Sequence, residues 1–151
     1  MEIVAYRPEH QVAFKQLNLD WITAHWQPEP ADFKMLDHPQ ESIVDTGGYI
    51  AVAVAAGDVL GTCALVKMTD DCYELAKMAV AQGSKRKGVG WALGVAVIAK
   101  ARALGASRVY LESNTVLEPA MHLYRKLGFK AVSAQPSPYQ RCNIQMELRL
   151  S

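Results

Sequence analysis

The sequence predicts one α/β domain (α+β by strict taxonomy) with a mixed, mostly antiparallel central sheet of about six to seven strands and helices on both faces. Three β-prone segments separated by short polar turns occupy residues 49–81, a pattern typical of antiparallel hairpins. A long apolar helix at residues 88–104 then leads to another β-prone segment at residues 108–113, which predicts a parallel strand pair. With 151 residues and no linker or repeat, residues 1–151 are expected to form a single domain.

Composition and charge exclude several classes of protein. The chain is 50% hydrophobic and 21% charged with a net charge of +1, which is ordinary for a soluble globular protein and gives no indication of a nucleic-acid partner. The three cysteines and four scattered histidines predict neither a disulfide framework nor a metal site. The N-terminus has no signal-peptide pattern, and the longest apolar run is shorter than the roughly 20 residues of a membrane span. We therefore expect a cytoplasmic protein that makes no membrane contact.

The first third of the chain is predicted to be mainly helical. A short strand at residues 2–6 ends before Pro8, which suits the first turn of a helix. Apolar residues including Phe14, Leu17 and Trp21 then recur at helical spacing. Three prolines interrupt residues 26–40, so only short helical pieces near residues 32–36 and 41–46 are expected. This irregular region is either a wall for an acceptor molecule or plain connecting structure.

The remaining elements alternate between strands and helices. Strands are predicted at residues 49–55, 59–67, 72–81 and 108–113, and two more at residues 129–133 and 143–150. The helix at residues 88–104 is expected to end at Gly105, and a second helix at residues 117–127 is expected to end at Gly128.

The segment KRKGVG, residues 85–90, is the strongest local indication of a binding site. It precedes the apolar helix directly, so unpaired N–H groups, the helix dipole and three basic side chains are predicted to attract an anion such as a phosphate. A Walker A loop is excluded because no Lys-Ser or Lys-Thr follows a glycine here. The spacing of Gly88, Gly90 and Gly94 also departs from the dinucleotide-binding pattern Gly-x-Gly-x-x-Gly.

KRKGVG resembles the Arg/Gln-x-x-Gly-x-Gly/Ala motif of the GCN5-related N-acetyltransferase (GNAT) family. The segment SNTVLEPAMHLYRKLGF, residues 113–129, resembles the second signature of the same family, and the order of predicted elements agrees with the family fold over residues 2–150. Lys85 stands where Arg or Gln is commoner, which keeps a charge but loses planar hydrogen-bonding geometry. The resemblance implies the GNAT fold and an acetyl-CoA-dependent N-acetyltransferase, an acyltransferase that binds coenzyme A.

The family also implies where acetyl-CoA binds. Its pyrophosphate is expected on the N–H groups at the start of the helix, where glycine allows the backbone to approach phosphate oxygens. Its pantetheine arm is expected beside a strand that carries a β-bulge in the family, whose main-chain groups are free for a ligand. The implied cofactor-binding residues are Met78, Ala79, Val80, Lys85, Arg86, Lys87, Gly88, Val89, Gly90, Asn114 and Tyr124.

The same resemblance suggests the catalytic groups. Tyr124 matches the tyrosine that protonates the leaving thiolate, although helical periodicity alone places it on an apolar core face. Glu74 is the candidate general base, acting through a water molecule, and Glu112 is its rival at the end of the next strand. The N–H of Met78 is the candidate donor to the developing oxyanion.

The acceptor is expected to be the primary amine of a small molecule. Trp26, Tyr139 and Arg141 lie in the two segments that shape the acceptor site in the family, and Arg141 would suit a carboxylate. Two alternatives stay open: an acyl-CoA-binding sensor or interaction module without useful turnover, and an acetyltransferase for protein N-termini or lysines. A homodimer is common in the family.

Overall fold

A computed structural model, which describes residues 1–84 and 87–150, confirms the predicted mixed sheet. In the described residues the sheet has seven strands in the order β1-β2-β3-β4-β5-β7-β6. The strands are β1 (Glu2–Ala5), β2 (Tyr49–Ala55), β3 (Asp58–Lys67), β4 (Cys72–Val80), β5 (Arg108–Ser113), β6 (Lys130–Ala131) and β7 (Ile144–Arg149).

One strand pair differs from the others. β4 and β5 are parallel, whereas the remaining pairs of neighbours are antiparallel. The helix α3 (Val89–Ala103) connects β4 to β5 as predicted, because a parallel neighbour has to be reached by a crossover. Ligands of open sheets commonly bind beside such a crossover, where the helix begins.

Helices cover both faces of the sheet. Buried residues of α3 and α4 (Glu118–Leu127) pack on one face with residues of β2–β5 and β7. On the other face lie α1 (Gln11–Thr23), α2 (Pro30–Asp37) and a five-residue π-helix, Gln40–Val44, which together bury Phe14, Leu36 and Ile43 against the sheet. Within the described ranges no helix is long and apolar enough to cross a membrane.

Most differences from the predicted elements are at their ends. The helices α3 and α4 each begin one residue later than predicted, and Gly105 and Gly128 follow them with φ of 86° and 104°, as expected of helix stops. The strand predicted at residues 129–133 shrinks to Lys130–Ala131, because the chain leaves the sheet after one further hydrogen bond from Val132 to Gln145. The piece predicted at residues 41–46 is the π-helix.

Candidate active site

A cleft of about 760 Å³ opens where β4 separates from β5. Only Cys72, Tyr73 and Glu74 of β4 pair with β5, whereas β5 stays paired with β7 along its whole length. Most of the predicted site residues line the cleft. They are Trp26, Glu74, Met78, Ala79, Val80, Gly88, Gly90, Glu112, Asn114, Tyr124, Tyr139 and Arg141.

The bulge that the family resemblance implies is present in β4. Thr62 of β3 lies opposite Ala79, and Ala64 lies opposite Ala76, so Lys77 and Met78 together face the single residue between them on β3. Lys77 adopts φ of 51°, a left-handed conformation that is unusual for a residue with a side chain. The ladder is therefore interrupted at the point where the cleft begins, and the strand bends away from β5.

The start of α3 forms the predicted anion-binding end of the cleft. Gly88 is the N-cap of this helix with φ of 75°, a conformation that glycine adopts without strain. Gly90 also lines the cleft, and a Cβ atom there would lie 3.2 Å from Leu123 of α4. Gly90 therefore permits the close approach of the two helices. Of the basic residues, Lys87 is exposed and its N–H donates to the carbonyl of Ser84, while Lys85 and Arg86 lie outside the described residues.

Val89 and Asn114 have structural contacts of their own. The side chain of Val89 is buried in the core at 1% exposure, so a cofactor would meet only its main chain. The side-chain amide of Asn114 donates to the carbonyl of Arg141 at 2.8 Å, and its oxygen accepts from the N–H of Val116 at 2.9 Å. Asn114 thus joins the end of β5 to the loop before β7 at the edge of the cleft.

Tyr124 reaches the cleft from the α3–α4 face of the sheet. Its ring is 7% exposed and makes an edge contact with Phe129 at 6.1 Å between ring centroids. Burial, and to a smaller extent the nearby Cys63 thiol, raises the pKa of the Tyr124 phenol, which therefore stays protonated at neutral pH. Among the described residues its hydroxyl makes no hydrogen bond. The ring therefore occupies a core position, as the helical periodicity indicated, while the hydroxyl proton is not engaged by another described residue.

Glu74 reaches the cleft from the opposite face. Its neighbours Tyr73 and Leu75 point into the α3–α4 core, and alternation along the strand places Glu74 on the α1–α2 side. Burial and the negative charge of Glu112 raise the pKa of Glu74 to about 7, although Lys77 opposes the rise. Near neutral pH this carboxyl group can both accept and release a proton.

Glu112 is held differently from Glu74. Its carboxylate accepts hydrogen bonds from the hydroxyls of Tyr110 and Ser137, each at 2.8 Å, and from the side chain of Gln145 at 3.3 Å. Among the described residues the carboxyl group of Glu74 accepts no hydrogen bond. The two carboxyl groups therefore have unlike surroundings, a difference that can give neighbouring carboxyl groups separate roles in proton transfer.

The α1–α2 side of the cleft has aromatic walls. Trp21 and Trp26 line it from the end of α1 and the residues that follow, and Tyr139 lines it from the loop before β7. The guanidinium of Arg141 stacks 4.4 Å from the centroid of the Tyr139 ring and 5.5 Å from that of Trp21. The predicted acceptor residues thus lie together, on the same side of the sheet as Glu74.

The carboxylate that Arg141 binds in the structure belongs to Asp32. Two guanidinium nitrogens of Arg141 contact the two Asp32 oxygens at 2.8 and 2.6 Å, and the ammonium of Lys77 contacts the same carboxylate at 2.9 Å. Asp32 is completely buried. Burial alone raises its pKa, but the hydrogen bonds from Arg141 and the charge of Lys77 lower the pKa of Asp32 to about 2.

Asp32 and Lys77 were missed as site residues in the sequence. Asp32 is the third residue of α2, where its carboxylate accepts from the N–H of Glu29 at 2.8 Å, so the sequence signal was that of a helix-capping residue. Lys77 lies in a strand with no local sign of a bulge. Their contact joins residues 45 positions apart, and no pattern within a single sequence indicates such a pair.

Comparison with known proteins agrees with the fold and the motifs. Residues 12–129 match the acetyltransferase (GNAT) family. An uncharacterized N-acetyltransferase, YvbK of Bacillus subtilis (strain 168), is 29% identical over 102 residues, which cover 66% of either protein. Streptothricin acetyltransferase of Streptomyces lavendulae is 32% identical over 97 residues, covering 64% of this chain and 51% of that protein. The chain thus spans about two thirds of one curated relative and half of the other.

Solved structures share the fold over nearly the whole chain. An acetyltransferase of the GNAT family from Staphylococcus aureus Mu50 superposes with a TM-score of 0.91 at 18% identity, covering 99% of both chains. The acetyltransferase yncA from Salmonella typhimurium, solved with its cofactor acetyl-CoA, superposes with a TM-score of 0.79 at 18% identity, covering 100% of this chain and 94% of that one. Both similarities support the fold described above.

Proposed function

Starting from the fact that this chain belongs to the acetyltransferase (GNAT) family, we propose that it transfers acetyl from acetyl-CoA directly to the primary amine of a small molecule. One observation carries the proposal. The sheet opens between β4 and β5, and a protonated phenol reaches the opening from one face while an unbonded carboxyl group reaches it from the other. An amine and a thioester that enter from opposite faces would meet between these two groups.

The cofactor is proposed to occupy the half of the cleft next to α3. The N-terminus of this helix, capped by Gly88, offers main-chain N–H groups and a partial positive charge to the pyrophosphate of acetyl-CoA. The bulge leaves the edge of β4 at Met78–Val80 unpaired on the side of β5, where the pantetheine amides can add hydrogen bonds. The yncA structure contains acetyl-CoA, which agrees with this choice of donor.

Glu74 is proposed to prepare the amine. An alkylammonium must lose a proton before its nitrogen can attack, and a base with a pKa of about 7 is well matched to neutral pH. A water molecule between Glu74 and the ammonium would carry the proton. The three hydrogen bonds on Glu112 suit it to hold the loop before β7 instead.

Tyr124 is proposed to protonate the leaving group. As nitrogen bonds to the thioester carbon, the carbon–sulfur bond breaks and the sulfur takes the phenolic proton; nitrogen releases its excess proton toward solvent, and the Tyr124 phenolate regains a proton from solvent. The apolar surroundings raise the pKa of the phenol, but they disfavour a bare thiolate in the same way, so the proton moves only as charge develops on sulfur.

The acceptor is proposed to be small because aromatic side chains line the α1–α2 half of the cleft. Trp21, Trp26 and Tyr139 enclose it, and Glu74 and Glu112 supply negative charge for an ammonium group. The relative from Streptomyces lavendulae is named for acetylation of streptothricin, which is consistent with a small acceptor. A cytoplasmic location and a homodimer remain predictions.

The proposal is tested by release of thiol from acetyl-CoA in the presence of a panel of amines. The panel contains amino acids, polyamines and aminoglycosides, together with peptides that have a free N-terminus or a lysine. Saturable turnover on a small amine supports the proposal, and turnover on peptides alone would replace it with protein acetylation. A melting temperature raised by acetyl-CoA with no turnover on any amine would favour a sensor.

A further inference from the structure

Lys77 is strained in its backbone and charged in its buried side chain. In the described part of the chain only Lys77 and Ala56 have positive φ without being glycine, and both have φ of 51°. Ala56 lies in the tight turn between β2 and β3, which explains its conformation. Lys77 lies inside a strand, where a left-handed residue persists only if its surroundings hold it there.

An ionic triad of Asp32, Lys77 and Arg141 holds Lys77 in place. The Lys77 ammonium bonds Asp32 at 2.9 Å and the Tyr139 hydroxyl at 3.1 Å, and it lies 4.7 Å from the centroid of the Tyr139 ring. The side chains of the triad are between 0% and 9% exposed. From the opposite strand, the Thr62 hydroxyl donates to the carbonyl of Lys77 at 3.4 Å.

The triad connects three separate segments around the acceptor half of the cleft. Asp32 belongs to α2, Lys77 to the bulge of β4, and Arg141 to the loop before β7. A buried ionic group seldom stabilises a fold more than apolar side chains of similar size would, because removing charges from water is costly. The triad instead fixes the relative positions of its three side chains. Because Lys77 is one of them, the triad also restricts the conformation of the bulge.

We propose that the ionic triad positions the active site: by holding Lys77 in its left-handed conformation, it aims the main-chain N–H of Met78 at the thioester carbonyl oxygen of bound acetyl-CoA. This inference rests on the proposed function. Met78 is the second residue of the bulge and has no residue of its own opposite it on β3, so the direction of its N–H follows from the conformation of Lys77. A hydrogen-bond donor stabilises a developing oxyanion most when its N–H already points to the position of that oxygen before the reaction.

Lys77 also contributes charge next to the general base. The ionisable groups that line the cleft with Glu74 are Glu112 on β5, Lys77 on β4, His25 after α1, Lys34 on α2, His122, Tyr124 and Lys126 on α4, and Tyr139, Arg141 and Cys142 before β7. Of these, Glu112 raises and Lys77 lowers the pKa of Glu74. Loss of the ammonium should therefore move the acid limb of the pH–rate profile to higher pH, which loss of packing alone would not do.

The test compares substitutions that separate conformation, charge and folding. Lys77→Met removes the ammonium at similar length, and Lys77→Gly accepts φ of 51° without strain but removes the anchor. For both we expect kcat to fall about 10- to 100-fold, with CoA affinity within about threefold of wild type, because the N–H groups at the start of α3 that are proposed to bind the pyrophosphate are unchanged. Ala56→Gly is the matched control: it relieves the same strain outside the cleft and should leave kcat unchanged.

A fully apolar triad separates positioning from folding. In the variant Asp32→Leu, Lys77→Met, Arg141→Met no charge of the triad is left without a partner, and Glu29, which loses its 3.4 Å contact with Arg141, is 23% exposed to water, so we expect the variant to stay folded where a single substitution does not. Its kcat should nevertheless fall as far as that of Lys77→Met. The proposal would be overturned if the Lys77 variants or the triple variant folded, kept the wild-type kcat and showed no change in the acid limb of the pH–rate profile. The triad would then have only a structural role.

A second measurement needs no acceptor amine. With methionine and glycine labelled by ¹⁵N, the amide resonances of Met78 and Gly90 are compared in the presence of CoA and of acetyl-CoA, which differ only in the acetyl group. In wild type we expect an additional Met78 shift with acetyl-CoA, reduced by at least about half in Lys77→Met, while the Gly90 amide responds equally in both proteins. An equal Met78 response in the two proteins overturns the role of the triad alone. Absence of any response to either cofactor in wild type overturns the proposed function together with this inference.

Discussion

Glu74→Gln should make the protein more stable at alkaline pH while it removes the proposed general base. The pKa of Glu74 is raised from an ordinary value of 4.5 to about 7 by burial and by Glu112. The folded state therefore keeps a proton that the unfolded chain releases between these values. Stability from this group is fully present below pH 4.5 and is lost as pH rises through 7. Glutamine resembles the protonated carboxyl group and is not subject to this loss.

The expected size of the effect follows from the two pKa values. Each pKa unit corresponds to about 1.4 kcal/mol, so a rise of about 2.5 units gives a gain for Glu74→Gln of about 3 kcal/mol at pH 8. At pH 5 folded Glu74 is protonated and the unfolded carboxyl group is only partly ionised, which reduces the gain to about 1 kcal/mol. These are upper values, because a cleft that opens to water relaxes around a charge.

Urea unfolding of wild type and Glu74→Gln at pH 5 and pH 8 measures this difference, and thiol release measures turnover. Glu112→Gln is the matched control, since the same substitution there replaces one of the two carboxylate oxygens that together accept three hydrogen bonds and should lower the free energy of unfolding by about 1–3 kcal/mol. If Glu74→Gln is no more stable than wild type at pH 8, or gains equally at both pH values, Glu74 does not have a raised pKa and the assignment of the base is wrong.

Three further predictions follow from the same cleft. Tyr124→Phe should lower kcat about 10²- to 10⁴-fold with CoA affinity retained, because it removes the hydroxyl group and its proton but keeps the ring. If kcat measured by thiol release is unchanged, Tyr124 is only a core residue. The wild-type log(kcat/KM) should decline below about pH 7 as Glu74 is protonated, and a flat profile from pH 6 to 8 would contradict that role. Gly88→Ala and Gly105→Ala, both at positive φ with open space around the added Cβ atom, should each cost about 1 kcal/mol in urea unfolding, while calorimetry should show weaker acetyl-CoA binding only for Gly88→Ala.

The family and the glycine-bearing start of α3 at the cleft were predictable because their signals are local. KRKGVG carries a glycine at the N-cap of α3, where the structure has φ of 75°, and LYRKLGF places Tyr124 one helical turn before Gly128. Helical spacing alone indicated a core position for Tyr124, and the structure does bury its ring while leaving its hydroxyl without a partner among the described residues. The motif therefore supplied information that periodicity lacked.

The acceptor end was predictable only in part. Tyr139 and Arg141 were expected there because of the segment in which they lie, and the structure places both at the cleft. The partner of Arg141 was not predictable, because Asp32 is 109 residues away and its sequence context is that of a helix N-terminus. Nor was the difference in surroundings between Glu74 and Glu112, since both are strand glutamates and it is their hydrogen bonds in the folded chain that distinguish them.

By itself the sequence determined the order of strands and helices, the glycine-bearing start of α3 and the family, because hydrophobic periodicity and glycine conformation act over a few neighbouring residues. Only the tertiary structure decided where β4 leaves β5, that Lys77 occupies the left-handed conformation of a bulge, and that Asp32 and Arg141 hold it there. These features depend on burial and on charges brought together from distant segments. The same burial, with the charge of Glu112, raises the pKa of Glu74 to about 7.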